Sequence, residues 1–174
     1  ENKNNGGSSA APEIKNHHIA EKTIEDTDHD YILTDSDEEI KKLVKKLENS
    51  NAFCFDTETT SLDSLEAELV GISFAIEEKK AWYVPFSEVQ TEAQERIEHF
   101  AKVFSNEKIK KIAQNIKYDI LVLKNYNIEV NGTLADTMIM HYLLEPELRH
   151  NMDYLSETYL KNKPIPIKNL IGKK

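Results

Sequence analysis

Phe53-Cys54-Phe55-Asp56-Thr57-Glu58-Thr59-Thr60 reads as an apolar strand that ends in two carboxylates. In a strand, residues two apart point to the same face, so Asp56 and Glu58 stand side by side. Two like charges so placed repel unless something positive lies between them. The natural occupant is a hard divalent cation, which prefers carboxylate oxygen. An exposed strand end carries such a pair often enough that Asp-x-Glu alone assigns nothing.

The flanking sequence supplies the rest of a sheet. Upstream, Tyr31-Ile32-Leu33 is a short strand candidate. Ser36-Asp37-Glu38-Glu39 is a capping box that opens a helix running to about Asn49, with Ile40, Leu43, Val44 and Leu47 at helical spacing. Downstream, Leu69–Ile76 and Ala81–Pro85 join Ala52–Asp56 in an expected antiparallel meander. Thr91-Glu92-Ala93-Gln94 is expected to open a second helix in the same capping manner, with Ile97, Phe100, Ala101 and Phe104 on one face. A strand at Lys111–Gln114, a helix at Ile116–Asn125 and a brief strand at Ile128–Val130 follow. Helices are expected at Leu134–Leu144 and Asn151–Leu160, and Pro164 and Pro166 break the pattern. The class is α/β, a mixed sheet flanked by helices, in the element order of the ribonuclease H-like fold.

The chain's 174 residues hold one domain with a sizeable core. Glu1 to Asp28 is rich in Asn, Gly, Ser and acids and reads as a linker or disordered tail, leaving residues 29–174 as the domain. His17-His18 lies in the tail, where a histidine pair is more often nothing than a metal site. The chain does not start with Met, as expected of an excised or processed piece. Glu1–Ser9 lacks the features of a signal peptide, and no apolar run approaches the roughly 20 residues that span a bilayer. Cys54 is the only cysteine, which excludes an intrachain disulfide and fits a reducing cytoplasm. The net charge of −9 argues against a broad basic surface for nucleic acid. Its distribution qualifies that: acids crowd residues 25–39, while lysines gather at Lys102–Lys117 and Lys161–Lys174. Each basic stretch is either solvated surface or a phosphate-facing rim.

A second cluster is Gln114-Asn115-Ile116-Lys117-Tyr118-Asp119, an acid after a tyrosine at the start of an apolar helix. By itself Asp119 is an acid favourable to the helix dipole. Taken together, Asp56-Thr57-Glu58-Thr59-Thr60-Ser61-Leu62-Asp63 and Gln114–Asp119 resemble the first two motifs of the DEDD exonucleases. They are most similar to the 3′→5′ proofreading domain of bacterial DNA polymerase I, the family A polymerase. Leu69–Ile76, Asp136-Thr137-Met138 and Arg149–Leu155 resemble that family too, and the likeness runs from about Tyr31 to Lys174.

The resemblance implies two-metal hydrolysis of the terminal phosphodiester of single-stranded DNA, with 5′-nucleotides released. Two divalent ions, Mg²⁺ or else Mn²⁺ or Zn²⁺, are implied. Asp56 would bridge both, Glu58 would bind the first, and Asp119 would help hold the second. Leu62 would pack on the terminal base, and Gln114, Asn115, Tyr118 and Arg149 would contact or position the strand. Leu62 as plain core and Arg149 as a salt-bridge partner stay open, and Asp136 reads as a helix N-cap. The implied partners are a single-stranded DNA 3′ end and a polymerase domain of the same parent chain, in the cytoplasm and not in a membrane.

The family's third motif, Tyr-x-x-x-Asp on a later helix, is not found after Asp119. Tyr31–Asp35 has the spacing but precedes the first motif. Tyr142, Tyr154 and Tyr159 lead to Pro146, Thr158 and Lys163. The chain ends at Gly172-Lys173-Lys174, about where the family runs on toward that helix, so the expectation is a truncated domain with little or no activity of its own. Two other readings remain: a silent single-strand-binding or structural domain, and an RNA-trimming exonuclease of the ribonuclease D type.

Overall fold

Strand β2, Ala52–Thr59, lies inside a six-stranded sheet because both of its edges are paired. It runs antiparallel to β3 (Leu69–Glu77) on one side and parallel to β5 (Lys110–Ala113) on the other. Beyond β3, β4 (Lys80–Pro85) completes the expected meander, and β1 (Asp30–Leu33) pairs parallel to β4 at the edge. This is a computed structural model that describes residues 20, 22–166 and 169. His17-His18, most of the expected tail and the last lysines lie outside the described residues.

The helices follow from local chemistry. Helix α1 (Asp37–Glu48) starts where expected: Ser36 and Glu39 exchange capping bonds, and Ile40, Leu43 and Leu47 are buried. Acids fill its first turn and Lys45 and Lys46 its last, as the helix dipole favours. Helix α2 (Gln90–Glu98) differs from expectation, because Thr91 caps nothing and lies inside the helix. Ser87 Oγ instead accepts from the Val89 amide and turns the chain into the helix two residues earlier than the Thr91 reading. Helix α3 (Ala101–Ser105) follows after a break at His99-Phe100, and Ile97, Phe100, Val103 and Phe104 are buried between the helices and the sheet. There Phe104 meets Phe53 and Phe55 edge-on at 5.7 and 5.1 Å, and Phe100 stacks on Phe74 at 5.0 Å. These rings hold one face of β2 in the core and leave the other face for Asp56 and Glu58.

Helix α4 (Ile116–Asn125) has the expected bounds, but the strand expected at Ile128–Val130 is absent. Asn127 turns left-handed (φ 57°), so the Ile128 amide folds back on the Leu123 carbonyl at 3.1 Å and that of Asn127 on Lys124. That is a Schellman closure, and it withdraws Ile128 from any ladder. The last strand is β6 (Leu134–Asp136), parallel to β5, where a helix was expected. Helix α5 (Thr137–Leu144) starts only after Asp136, which is its N-cap as expected. Helix α6 (Met152–Leu155) widens into a π turn, Ser156–Leu160, where one regular helix was expected.

The described end of the expected tail is not wholly loose. Residues 22–28 have no buried member, yet Lys22 forms a parallel bridge with Asn162 through backbone bonds of 3.1 and 2.8 Å.

Asp136 caps two helices at once. Its carboxylate accepts from Met138 and Ile139 at the start of α5, and from Asn115 and Ile116 at the start of α4. Asp136→Ala is therefore expected to cost about 2 kcal/mol, twice the usual loss of one cap. Urea unfolding of the two proteins measures this, and a loss under about 0.5 kcal/mol would contradict the double cap.

Candidate active site

Helix α4 brings the second sequence cluster onto the first. Asn115, at its N-cap, takes the left-handed conformation (φ 61°, ψ 44°), which Asn tolerates better than most residues. The turn delivers Asp119 to the end of β2, where it is 2% exposed. There Asp119 Oδ1 accepts from the Thr57 amide at 3.0 Å and from the Thr57 hydroxyl at 2.6 Å. Thr57 is thus the joint between the two clusters. Sequence reasoning passed over it, although period two alone sets it on the face opposite Asp56 and Glu58.

The carboxylates act on one another. Burial first, then the charge of Asp119, then that of Glu58, push the Asp56 carboxyl up to about 7. Burial also raises Asp119, against the two Thr57 bonds that favour its ionised form. The expected convergence is incomplete: among the described residues, no three His, Cys, Asp or Glu side chains are close enough together to hold a metal ion. Asp119 is held by Thr57, and repulsion opposes closure without a cation. The donor set still suits a hard divalent ion, since it is all carboxylate oxygen, and a cation would offset both the burial and the mutual repulsion that raise Asp56.

The expected substrate residues fall into distinct roles. Leu62, on the loop after β2, is 98% exposed, which removes the reading of Leu62 as core. Tyr118 props that loop: its hydroxyl bonds Thr59 Oγ1 at 2.6 Å and the Ser61 carbonyl. Gln114 is committed to the protein, donating to the His150 carbonyl at 2.6 Å and accepting from Thr137 Oγ1. Asn115 contributes its backbone turn, with its amide on Asp136 at 3.1 Å. Arg149 is exposed and forms no ion pair among the described residues, so it is not a salt-bridge partner there. The turn that carries it is fastened through His150, whose Nδ1 lies 2.6 Å from His141 Nδ1, while His141 Nε2 meets the Tyr159 hydroxyl at 2.9 Å.

An open cavity of about 560 Å³ lies beside Asp56, with Gln114, His141, Leu144, Met152 and Leu160 in its wall. One side is carboxylate and the other mainly apolar, so charge and a flat aromatic surface can be met together.

A family model described as 3′-5′ exonuclease (DNA_pol_A_exo1) matches residues 31–174. DNA polymerase I of Pseudomonas aeruginosa is 37% identical over 139 residues, covering 75% of this chain and 15% of that protein. DNA polymerase I of Chloroflexus aurantiacus is 39% identical over 136 residues, 75% of this chain and 14% of that one. The chain thus spans about 15% of the length of the Pseudomonas relative. Among solved structures, the catalytic core of RRP6 from Trypanosoma brucei superposes with a TM-score of 0.67 at 17% identity, over 83% of this chain and 38% of that one. NrnC of Brucella melitensis with bound Mg²⁺ gives 0.63 at 17% identity, over 79% and 64%.

Proposed function

The chain belongs to the 3′-5′ exonuclease family of DNA polymerase I, with a ribonuclease H-like α/β fold, and on that premise we propose that it hydrolyses the 3′-terminal phosphodiester of single-stranded DNA, releasing 5′-nucleotides. The observation that carries the proposal is the joint at Thr57, which docks Asp119 on the end of the strand that bears Asp56 and Glu58. Asp56, Glu58 and Asp119 are the residues that would hold two divalent cations. Mg²⁺ is favoured over Mn²⁺ or Zn²⁺ because the donors are all hard oxygen and a protein of like fold binds Mg²⁺. When bound, such ions activate water and stabilise the attacking and leaving oxygens.

This chain's own residues then orient the strand. Leu62 offers an apolar surface for the terminal base, on a loop fixed by Tyr118. Arg149 offers an exposed guanidinium, in no ion pair among the described residues, for a phosphate. Gln114 and Asn115 hold the frame on which these groups sit. In the longer relatives the region is one part of DNA polymerase I, so the proposed partner is a polymerase domain that passes a mispaired 3′ end. No helix of the described residues is long and apolar enough to cross a membrane, and a cytoplasmic place of action is proposed.

Likeness in fold to RRP6 and to ribonuclease D of Escherichia coli favours a second reading, RNA trimming. A labelled single-stranded oligonucleotide, as DNA and as RNA, with Mg²⁺ or Mn²⁺ decides between them. Stepwise loss from the 3′ end of DNA supports the first reading, and preference for RNA supports the second. Binding without cleavage, in this chain and in one extended as in the relatives, would leave a silent binding domain.

Leu62→Ala is expected to weaken single-stranded DNA binding about tenfold, near the low end of the range for a base stacked on an aromatic ring, as suits an aliphatic side chain. Because Leu62 is exposed, thermal stability should stay within about 1 °C of the parent. Fluorescence anisotropy beside a melting curve checks both. A large drop in melting temperature would return Leu62 to a packing role.

A further inference from the structure

Tyr83 on β4 belongs to the same face of the sheet as the carboxylates. The register sets Asp56 opposite Ser73, and Ser73 opposite Tyr83, so the three form one row across β2, β3 and β4. Glu58 heads the next row and stands opposite Gly71. The Tyr83 ring leans from its own row into this second one. A Cβ built on Gly71 would fall 2.0 Å from the Tyr83 hydroxyl and 2.3 Å from the carbon that bears it. Gly71 is therefore a cradle, and the phenol occupies the space that a side chain facing Glu58 would take. Directly opposed residues have Cβ atoms about 4.5–5.5 Å apart, which brings the hydroxyl within one side-chain rotation or one water of the Glu58 carboxylate. The hydroxyl makes no hydrogen bond among the described residues, so its donor is free for that carboxylate. Burial and then the charge of Glu58 raise the Tyr83 phenol, which places the two in one another's field.

We infer that Tyr83 is a positioning residue of the site: its hydroxyl, seated on Gly71, orients the Glu58 carboxylate toward the cation. The inference rests on the proposal that Glu58 holds a cation. Tyr83 touches neither strand nor reacting atoms, and it acts through Glu58. Gly71 is required for clearance, since any side chain there displaces the ring.

The test is Mn²⁺ binding to the 174-residue chain by titration calorimetry, with circular dichroism as a control on folding. Tyr83→Phe keeps the ring and removes the hydroxyl, so a role in packing alone leaves the affinity unchanged. The expected result is a 10- to 100-fold loss of affinity, the usual cost of removing a group that orients a metal ligand. Gly71→Ala should give a similar loss by pushing the ring away, and the double variant should be no weaker than either single one. Parental affinity in Tyr83→Phe would overturn the inference while leaving the cation reading intact, whether or not Gly71→Ala folds. Absence of Mn²⁺ binding by the parent chain would overturn the cation reading and the inference with it.

Discussion

Asp56→Ala is expected to lower degradation of a single-stranded DNA 3′ end by about 10³-fold or more, a loss of about 4 kcal/mol of transition-state stabilisation. The size follows from where Asp56 stands. Both Asp119 and Glu58 act on its carboxylate, so its removal disconnects the two clusters electrostatically. Glu58→Ala and Asp119→Ala each remove one side of that arrangement and should be less severe or equal. The parent rate bears on the experiment. Residues 120–174 contain no Tyr-x-x-x-Asp, so the 174-residue chain is expected to be slow beside one extended as in the longer relatives. Asp56→Ala should be inactive in both. Equal stepwise degradation by the short and extended chains would sink the argument that the absent motif matters. Survival of activity in Asp56→Ala would remove the first motif from the chemistry.

What could be read in advance divides according to how far apart the cooperating residues are. The capping box at Ser36 and Glu39 is written within four residues, and α1 begins there. The meander is written in short apolar runs separated by turns, and its three strands pair as expected. Asp56 and Glu58 were legible because period two needs only a strand. The errors have non-local or competing causes. Leu134–Asp136 has nothing in its own residues that says strand; the open edge of β5 makes it one. Ile128–Val130 has strand composition, but the left-handed Asn127 uses the Ile128 amide to close α4. Thr91 resembles a cap, but Ser87 and Val89 start the helix before it. The contributions of Thr57 and Tyr83, and the second cap made by Asp136, depend on partners distant in sequence: Asp119 for Thr57, Asn115 and Ile116 for Asp136, Gly71 and Glu58 for Tyr83. Tyr83 in particular is a site candidate only through sheet register and the missing side chain of Gly71.

Asp56→Asn is expected to stabilise the metal-free protein at alkaline pH, the opposite of its effect on activity. The Asp56 carboxyl is raised from an ordinary 3.8 to about 7, so the folded protein holds this proton more tightly than the unfolded chain does. The stability linked to that proton is complete below about pH 3.8 and is lost as pH rises toward and through about 7. Above it, the folded state carries an ionised Asp56 against burial, Asp119 and Glu58. Asparagine keeps the shape and removes the charge. Each pKa unit is worth about 1.4 kcal/mol, and relaxation of a half-buried group takes some of that back, so the gain at pH 8 should be roughly 2–4 kcal/mol. At pH 4 the two proteins should be nearly equal, because the wild-type carboxyl is then protonated in the fold. Urea unfolding at both values in chelator measures the difference. Adding Mg²⁺ at pH 8 should stabilise the wild type and leave Asp56→Asn almost unmoved, since a ligand stabilises only the state that binds it. A metal-free Asp56→Asn protein less stable than wild type at pH 8 would mean that the crowded carboxylates are already compensated, and the demand for a cation would vanish. The gain, if found, measures the strain kept at this strand end for the sake of chemistry.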